Sequence, residues 1–209
     1  MSEDFEKYFE ERDIFEVIAR FQDMLEHNMS CFFDLFEFEN IIDYYIDKEE
    51  YSGALKANVI ALAQYPFAIS LKLRYAKILC EKNSIPAALQ ILHKLEAIES
   101  CNFEFHLIKG KALNKSGRQA EAITEYDEAI RLASENKDEL VFCIARSFLE
   151  SGNDNQAIRY LLLAHEINED NLLVLCELAS FYEHLESYDK AIVFLQKFLE
   201  INPFAENIW

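Results

Sequence analysis

The chain has 209 residues, 51% of them hydrophobic and 28% charged, the composition of a chain that folds around a core rather than a disordered one. Its formal net charge of -18 repels phosphate backbones and anionic lipid headgroups, so neither nucleic acid nor a membrane is an expected partner. Four glycines and three prolines are too few for a fold of many tight turns and favour helices.

The N-terminus, Met1-Ser2-Glu3-Asp4-Phe5-Glu6, is acidic where a secretion signal would be basic and then apolar. No stretch reaches the roughly 18 apolar residues of a spanning helix. The five cysteines, Cys31, Cys80, Cys101, Cys143 and Cys176, are odd in number and lack a C-x-x-C pair. They read as reduced thiols used as small core residues in a cytoplasmic protein. Asp13-Ile14-Phe15-Glu16 has the form of a capping box. Ile14, Val17, Ile18, Phe21, Met24 and Leu25 follow at the spacing of an amphipathic helix. Residues 1–34 are therefore expected to form a divergent helical pair that caps the N-terminal end. Residues 1–51 also hold Phe5, Tyr8, Phe9, Phe32, Phe33, Phe36, Phe38, Tyr44 and Tyr45, more aromatic bulk than two short helices readily bury. Most of it is expected in the core of the cap, and an exposed part would form a dimer or partner interface.

From residue 35 onward the chain repeats itself. Tyr51-Ser52-Gly53-Ala54-Leu55, Ile85-Pro86-Ala87-Ala88-Leu89 and Gln119-Ala120-Glu121-Ala122-Ile123 share one ending, as do Asp154-Asn155-Gln156-Ala157-Ile158 and Tyr188-Asp189-Lys190-Ala191-Ile192. The alanines Ala54, Ala88, Ala122, Ala157 and Ala191 are spaced by 34, 34, 35 and 34 residues. The one extra residue is expected near Asn136-Lys137. Within the period, Tyr188, Ala191, Ile192, Leu195, Phe198 and Leu199 line one helical face, as Leu172, Leu175, Leu178, Ala179 and Tyr182 do one helix earlier. Ser84 can cap a helix with Pro86 in its first turn, and Gly117 and Gly152 permit the left-handed backbone that ends one.

A helix–turn–helix period of 34 residues resembles the tetratricopeptide repeat. With the recurring alanine at the family's position 20, five repeats cover 35–68, 69–102, 103–137, 138–171 and 172–205. The small residue of position 8 is then Ala76, Gly110, Ala145 or Ala179, with Ile42 as the exception. The large residue of position 11 is Tyr45, Leu79, Leu113, Phe148 or Tyr182. Ala61, Ala129 and Ala164 meet the small-residue preference at position 27, while Leu95 and Phe198 do not; Pro66 and Pro203 occupy position 32. The resemblance implies an all-α, right-handed α-α superhelix of antiparallel helix pairs. Trp209 falls 34 residues after Leu175, at position 4, where the family places its tryptophan. Residues 206–209 are accordingly expected to begin a further, truncated repeat of a longer array.

The chemistry-bearing motifs are missing. There is no phosphate-binding glycine loop, no H-E-x-x-H and no G-x-S-x-G. His27, His93, His106, His165 and His184 share no helical ligand spacing. The carboxylate pairs, such as Glu10-Glu11 and Glu49-Glu50, read as solvated helix faces. No catalytic residue, metal or cofactor is expected, and the chain is not expected to be an enzyme.

Binding is the expectation that remains. In the family it resembles, the first helix of each repeat lines a concave groove through positions 2, 5, 9, 12 and 13. Position 9 here is Asp43, Lys77, Lys111, Arg146 and Ser180, so three successive repeats place a cation on helices roughly 8–10 Å apart. Lys115 adds to them, and Leu73, Leu107 and Phe142 at position 5 supply apolar contact. The resemblance thus implies a protein-binding scaffold whose groove takes a peptide or partner protein through an acidic or C-terminal segment. Salt bridging is the structural alternative for the same cations: Lys77 to Glu81 or Asp43, and Arg146 to Glu150. Position 9 holds no asparagine, so the family's clamp for chaperone tails is not expected. The alternative function is a structural module that self-associates through the aromatic N-terminal segment or an open C-terminal repeat.

Overall fold

The computed structural model describes residues 3–27 and 29–204, and of residues 3–13 the helical backbone only. Trp209, and the side chains of Phe5, Tyr8 and Phe9, lie outside the described residues. Among these residues there are eleven helices and no strand, an all-α helical-repeat fold. The chain divides into two compact units, residues 1–98 and 99–209.

The first unit holds α1 (Glu3–Glu26), α2 (Leu35–Asp47), α3 (Tyr51–Gln64), α4 (Ile69–Glu81) and all but the last residue of α5 (Ile85–Glu99). Residues 1–34 therefore contain one long helix where a pair was expected. The sequence EDFEKYFEERDIFEVIARFQDMLE has no glycine or proline, so nothing breaks the helix at Asp13, and its apparent capping box is an interior turn. The working box lies at Asp34, whose carboxylate accepts from Glu37 N at 2.8 Å while Asp34 N donates to Glu37 Oε2 at 2.8 Å. Ile18, Phe21 and Met24 turn inward from α1 onto Phe33, Phe38, Ile41, Ile42 and Tyr45. Phe21 meets Phe33 edge to face at 5.7 Å between centroids, and Phe33 meets Phe38 at 5.4 Å. Two polar ties brace this core. The Tyr65 hydroxyl donates to the Phe33 carbonyl at 3.1 Å. Arg74 of α4 grips Asp43 of α2 with Nε at 3.0 Å and Nη2 at 2.6 Å, a two-pronged geometry that holds one helix in register with the other.

The second unit holds α6 (Phe103–Lys115), α7 (Gln119–Leu132), α8 (Lys137–Glu150), α9 (Asp154–Ile167), α10 (Leu172–His184) and α11 (Tyr188–Ile201). The recurring alanines are buried in both units, between 0% and 5% exposed, because a larger side chain there would hold neighbouring helices apart. Every helical pair turns through a left-handed residue. Gly117 and Gly152 serve at φ 80° and 71°, but Glu49, Asn83 and Glu186 fill the same turn at φ 58°, 57° and 55°, a conformation that costs a residue with a Cβ roughly 1–2 kcal/mol. The extra residue of the 35-residue spacing lengthens α8 to 14 residues against 13 in α6 and α10. Asn136, at φ 47°, adjusts the entry.

The core of the second unit is aromatic and partly polar. Phe148 stacks on Tyr160 at 5.5 Å, and Tyr126 meets Phe148 edge-on at 5.5 Å. Gly110 makes room for the Tyr126 ring: a Cβ at position 110 would lie 2.6 Å from that ring. The Tyr126 hydroxyl reaches Ser147 Oγ at 2.7 Å, and buried Asn114 donates to the Ser147 carbonyl at 2.8 Å.

Candidate protein-binding surfaces

The residues singled out for binding fall on first helices of both units. In the first unit, α4 carries Leu73 and Lys77 one turn apart. Leu73 is only 3% exposed and belongs to the core, whereas Lys77 is half-buried at the surface. In the second unit, α6 carries Leu107, Lys111 and Lys115, all half-buried, and α8 carries Phe142, 9% exposed, and Arg146, exposed. Leu107 therefore offers more surface than Leu73 or Phe142.

The ion pairs differ from those read along single helices. Asp43 is taken by Arg74 and not by Lys77, because the bidentate guanidinium reaches it from α4 at 2.6 Å while also approaching Glu39 at 3.6 Å. Glu150 leans across to Lys111 at 3.8 Å rather than back to Arg146. Among the described residues, neither Lys77 nor Arg146 has a carboxylate within salt-bridge distance. The cysteines also depart from a uniform core role: Cys80 is buried, but Cys101 and Cys143 are exposed.

Several polar residues carried no signal in the sequence. Asn114 stands at position 12, a binding position by register, yet it is 2% exposed. Glu125 of α7 accepts from Lys109 Nζ at 2.7 Å and meets His106 Nδ1 at 2.6 Å, while His106 Nε2 faces the Ser100 carbonyl at 3.0 Å. This cluster pins α6 to α7. Burial, reinforced by the charge on Asp127, pushes the Tyr160 hydroxyl up, and its proton goes to Asp127 Oδ1 at 3.0 Å. Burial also holds His165 below the ordinary imidazole range, with Lys197 acting in the same direction. The Asn171 amide, and after it Asn168, holds the Asp138 carboxyl below its ordinary value. Among the described residues no group of three or more His, Cys, Asp or Glu side chains is placed to hold a metal ion. No helix there is long and apolar enough to cross a membrane.

The tetratricopeptide-repeat sequence model matches residues 103–136 and 173–204, the stretches that hold α6–α7 and α10–α11. These two stretches are tetratricopeptide repeats. No curated protein matches the chain's sequence. Among solved structures the chain is similar to PilW, a widely conserved type IV pilus biogenesis factor, with a TM-score of 0.68 at 16% identity over 97% of this chain and 92% of that one. It is similar to TTC0263, a thermophilic repeat protein of Thermus thermophilus, with a TM-score of 0.63 at 18% identity over 82% and 93% of the two chains. It is similar also to MamA, with a TM-score of 0.53 at 20% identity over 79% and 90%. At these identities the likeness is one of fold. Tetratricopeptide-repeat proteins generally mediate protein–protein interaction and assembly and are generally non-catalytic.

Proposed function

We propose that this protein is a non-catalytic scaffold that holds an acidic segment of a partner protein on the first-helix faces of α6 and α8 in its second unit, and that α4 of the first unit offers a separate first-helix face of the same kind. The observation that carries the reading is Arg146, an exposed guanidinium with no carboxylate in range among the described residues, on first helix α8 of a chain of net charge -18. Arg74, Arg118, Arg131 and Lys197 are each held by a carboxylate of the chain, and Arg146 is not. A cation held apart is available to a carboxylate from outside. Lys77 is in the same condition, and Lys115 lies one turn from Lys111 on the same helix. Apolar contact comes from Leu107, with Phe142 and Leu73 backing the surface from the core.

A lysate pull-down read by mass spectrometry tests this, with the native chain and the Lys77→Glu, Lys115→Glu, Arg146→Glu triple variant as baits. Lys111 is left in place because Glu150 uses it. Circular dichroism first establishes that the variant folds. The reading expects a partner captured by the native chain and lost from the variant. Capture of the same proteins by both would assign the cations to solvation alone.

A further inference from the structure

We propose that the first unit carries a second docking surface, for a cationic segment of a partner protein that bears large apolar side chains, centred on Phe32, Phe36 and Phe67. These three are 76%, 69% and 87% exposed. They are not the overflow of a crowded core. Phe33 and Phe38, their neighbours in the chain, are 0% exposed, so the same short segment sends two rings in and two rings out. Phe67 joins them through the backbone: the Tyr65 hydroxyl bond to the Phe33 carbonyl at 3.1 Å ties the α3–α4 turn to the segment that leads into α2. All three exposed rings lie within three residues of one end of that bond. Exposed aromatic clusters mark interaction sites, and buried phenylalanine anchors return their transfer free energy only when a partner covers them.

The charge beside the rings selects the partner. Phe36, Glu39, Asp43 and Asp47 follow one another along α2 at spacings of three, four and four residues, which places them on one face of the helix. Arg74 pairs with Asp43 and approaches Glu39, but its single charge cancels only one of the three, and the face stays negative. Residues 1–50 as a whole carry 16 Asp and Glu against four Lys and Arg. A second copy of the chain would bring the same carboxylates against these, and an anionic lipid surface would be repelled. A segment with lysine or arginine beside leucine- or phenylalanine-sized anchors satisfies both the rings and the charge. Its charge is opposite to that of the segment proposed for the Arg146 face, so the two readings fail separately.

The test uses the full chain and a fluorescein-labelled helical peptide of about 14 residues built from leucine and lysine, with a leucine–glutamate counterpart as control. Anisotropy titrations compare the native chain with the Phe32→Ser, Phe36→Ser, Phe67→Ser triple variant, which alters no charge, and with Asp47→Lys. The leucine–lysine peptide is expected to bind the native chain, at least about tenfold more weakly the triple variant, and several-fold more weakly Asp47→Lys. The leucine–glutamate peptide is expected not to bind. The proposal is overturned by no binding to the native chain, by equal binding to the triple variant, or by equal binding of the two peptides. It is overturned also if sedimentation equilibrium finds a native dimer that the triple variant loses, which would assign the surface to a second copy.

Discussion

The helical pairs α2–α3 and α6–α7 solve one packing problem in opposite ways. At positions 8 and 24 the first pair has Ile42 and Asn58, and the second has Gly110 and Tyr126. In each, a large residue on one helix is matched by a small one on the other. The remaining pairs take the middle course, with Ala76 and Leu92 or Ala145 and Leu161. Total volume is kept while its division between the helices shifts, as close packing requires. The polar atoms fare differently. The Tyr126 hydroxyl finds Ser147 Oγ at 2.7 Å. Asn58 donates to the Leu71 carbonyl at 2.9 Å, but its Oδ1 has no partner among the described residues. The second unit has thus turned its large residue into part of a network, while the first keeps an unmet acceptor.

The strongest way to break this comparison is Gly110→Ala. The new Cβ would meet the Tyr126 ring at 2.6 Å, and a loss of about 2–3 kcal/mol is expected in urea unfolding. Adding Tyr126→Leu recreates the alanine–leucine pairing of the neighbouring repeats. It should recover part of the loss, with a coupling energy of about 1–2 kcal/mol in the double-mutant cycle. Additive losses would mean that the glycine is not there for the ring.

Next in size is Asn114→Ala, which removes the donor to the buried Ser147 carbonyl at 2.8 Å. About 1–3 kcal/mol of stability should go with it. The same variant should leave partner capture unchanged relative to its folded fraction, since Asn114 is 2% exposed. Smaller effects are expected at the turns. Glu49→Gly and Glu186→Gly relieve left-handed residues at φ 58° and 55°, and each should raise stability by about 0.5–1 kcal/mol after the added chain entropy of glycine is subtracted.

The smallest expected effect is a pH slope in the second unit. Burial lowers the His165 pKa below its ordinary 6.5, so the unfolded chain takes up that proton first. Stability from this residue is complete above about pH 6.5 and declines as the pH falls through the folded value. Urea midpoints measured from about pH 8 down to about pH 5 should show the decline, and His165→Leu should flatten it. Asp138 acts further down: its carboxyl is held below the ordinary 3.8, so its contribution is lost only as the pH falls past that value.

The repeat was legible because its cause is local and periodic. A buried alanine that nests against a neighbouring helix recurs in each helical pair from α2–α3 to α10–α11. The N-terminal helix was not legible in the same way. A capping-box signature at Asp13 and another at Asp34 look alike in sequence, and no glycine or proline precedes either. The binding residues were legible as positions but not as environments. Pairing within a helix can be read from i, i+4 spacing, whereas Arg74 with Asp43 and Lys111 with Glu150 join different helices. Asn114 shows the same limit, since its register says surface and its neighbours Ser147 and Ser151 make it core.

Photocrosslinking tests the scaffold reading most directly. A benzoylphenylalanine placed at exposed Glu139 on the first helix α8, two turns from Arg146, or at exposed Arg159 on the second helix α9, is irradiated in lysate with the otherwise native chain. The account predicts a discrete partner adduct from position 139 and none from position 159. The same adduct from 159 with none from 139 would put the partner on the opposite helices and contradict it.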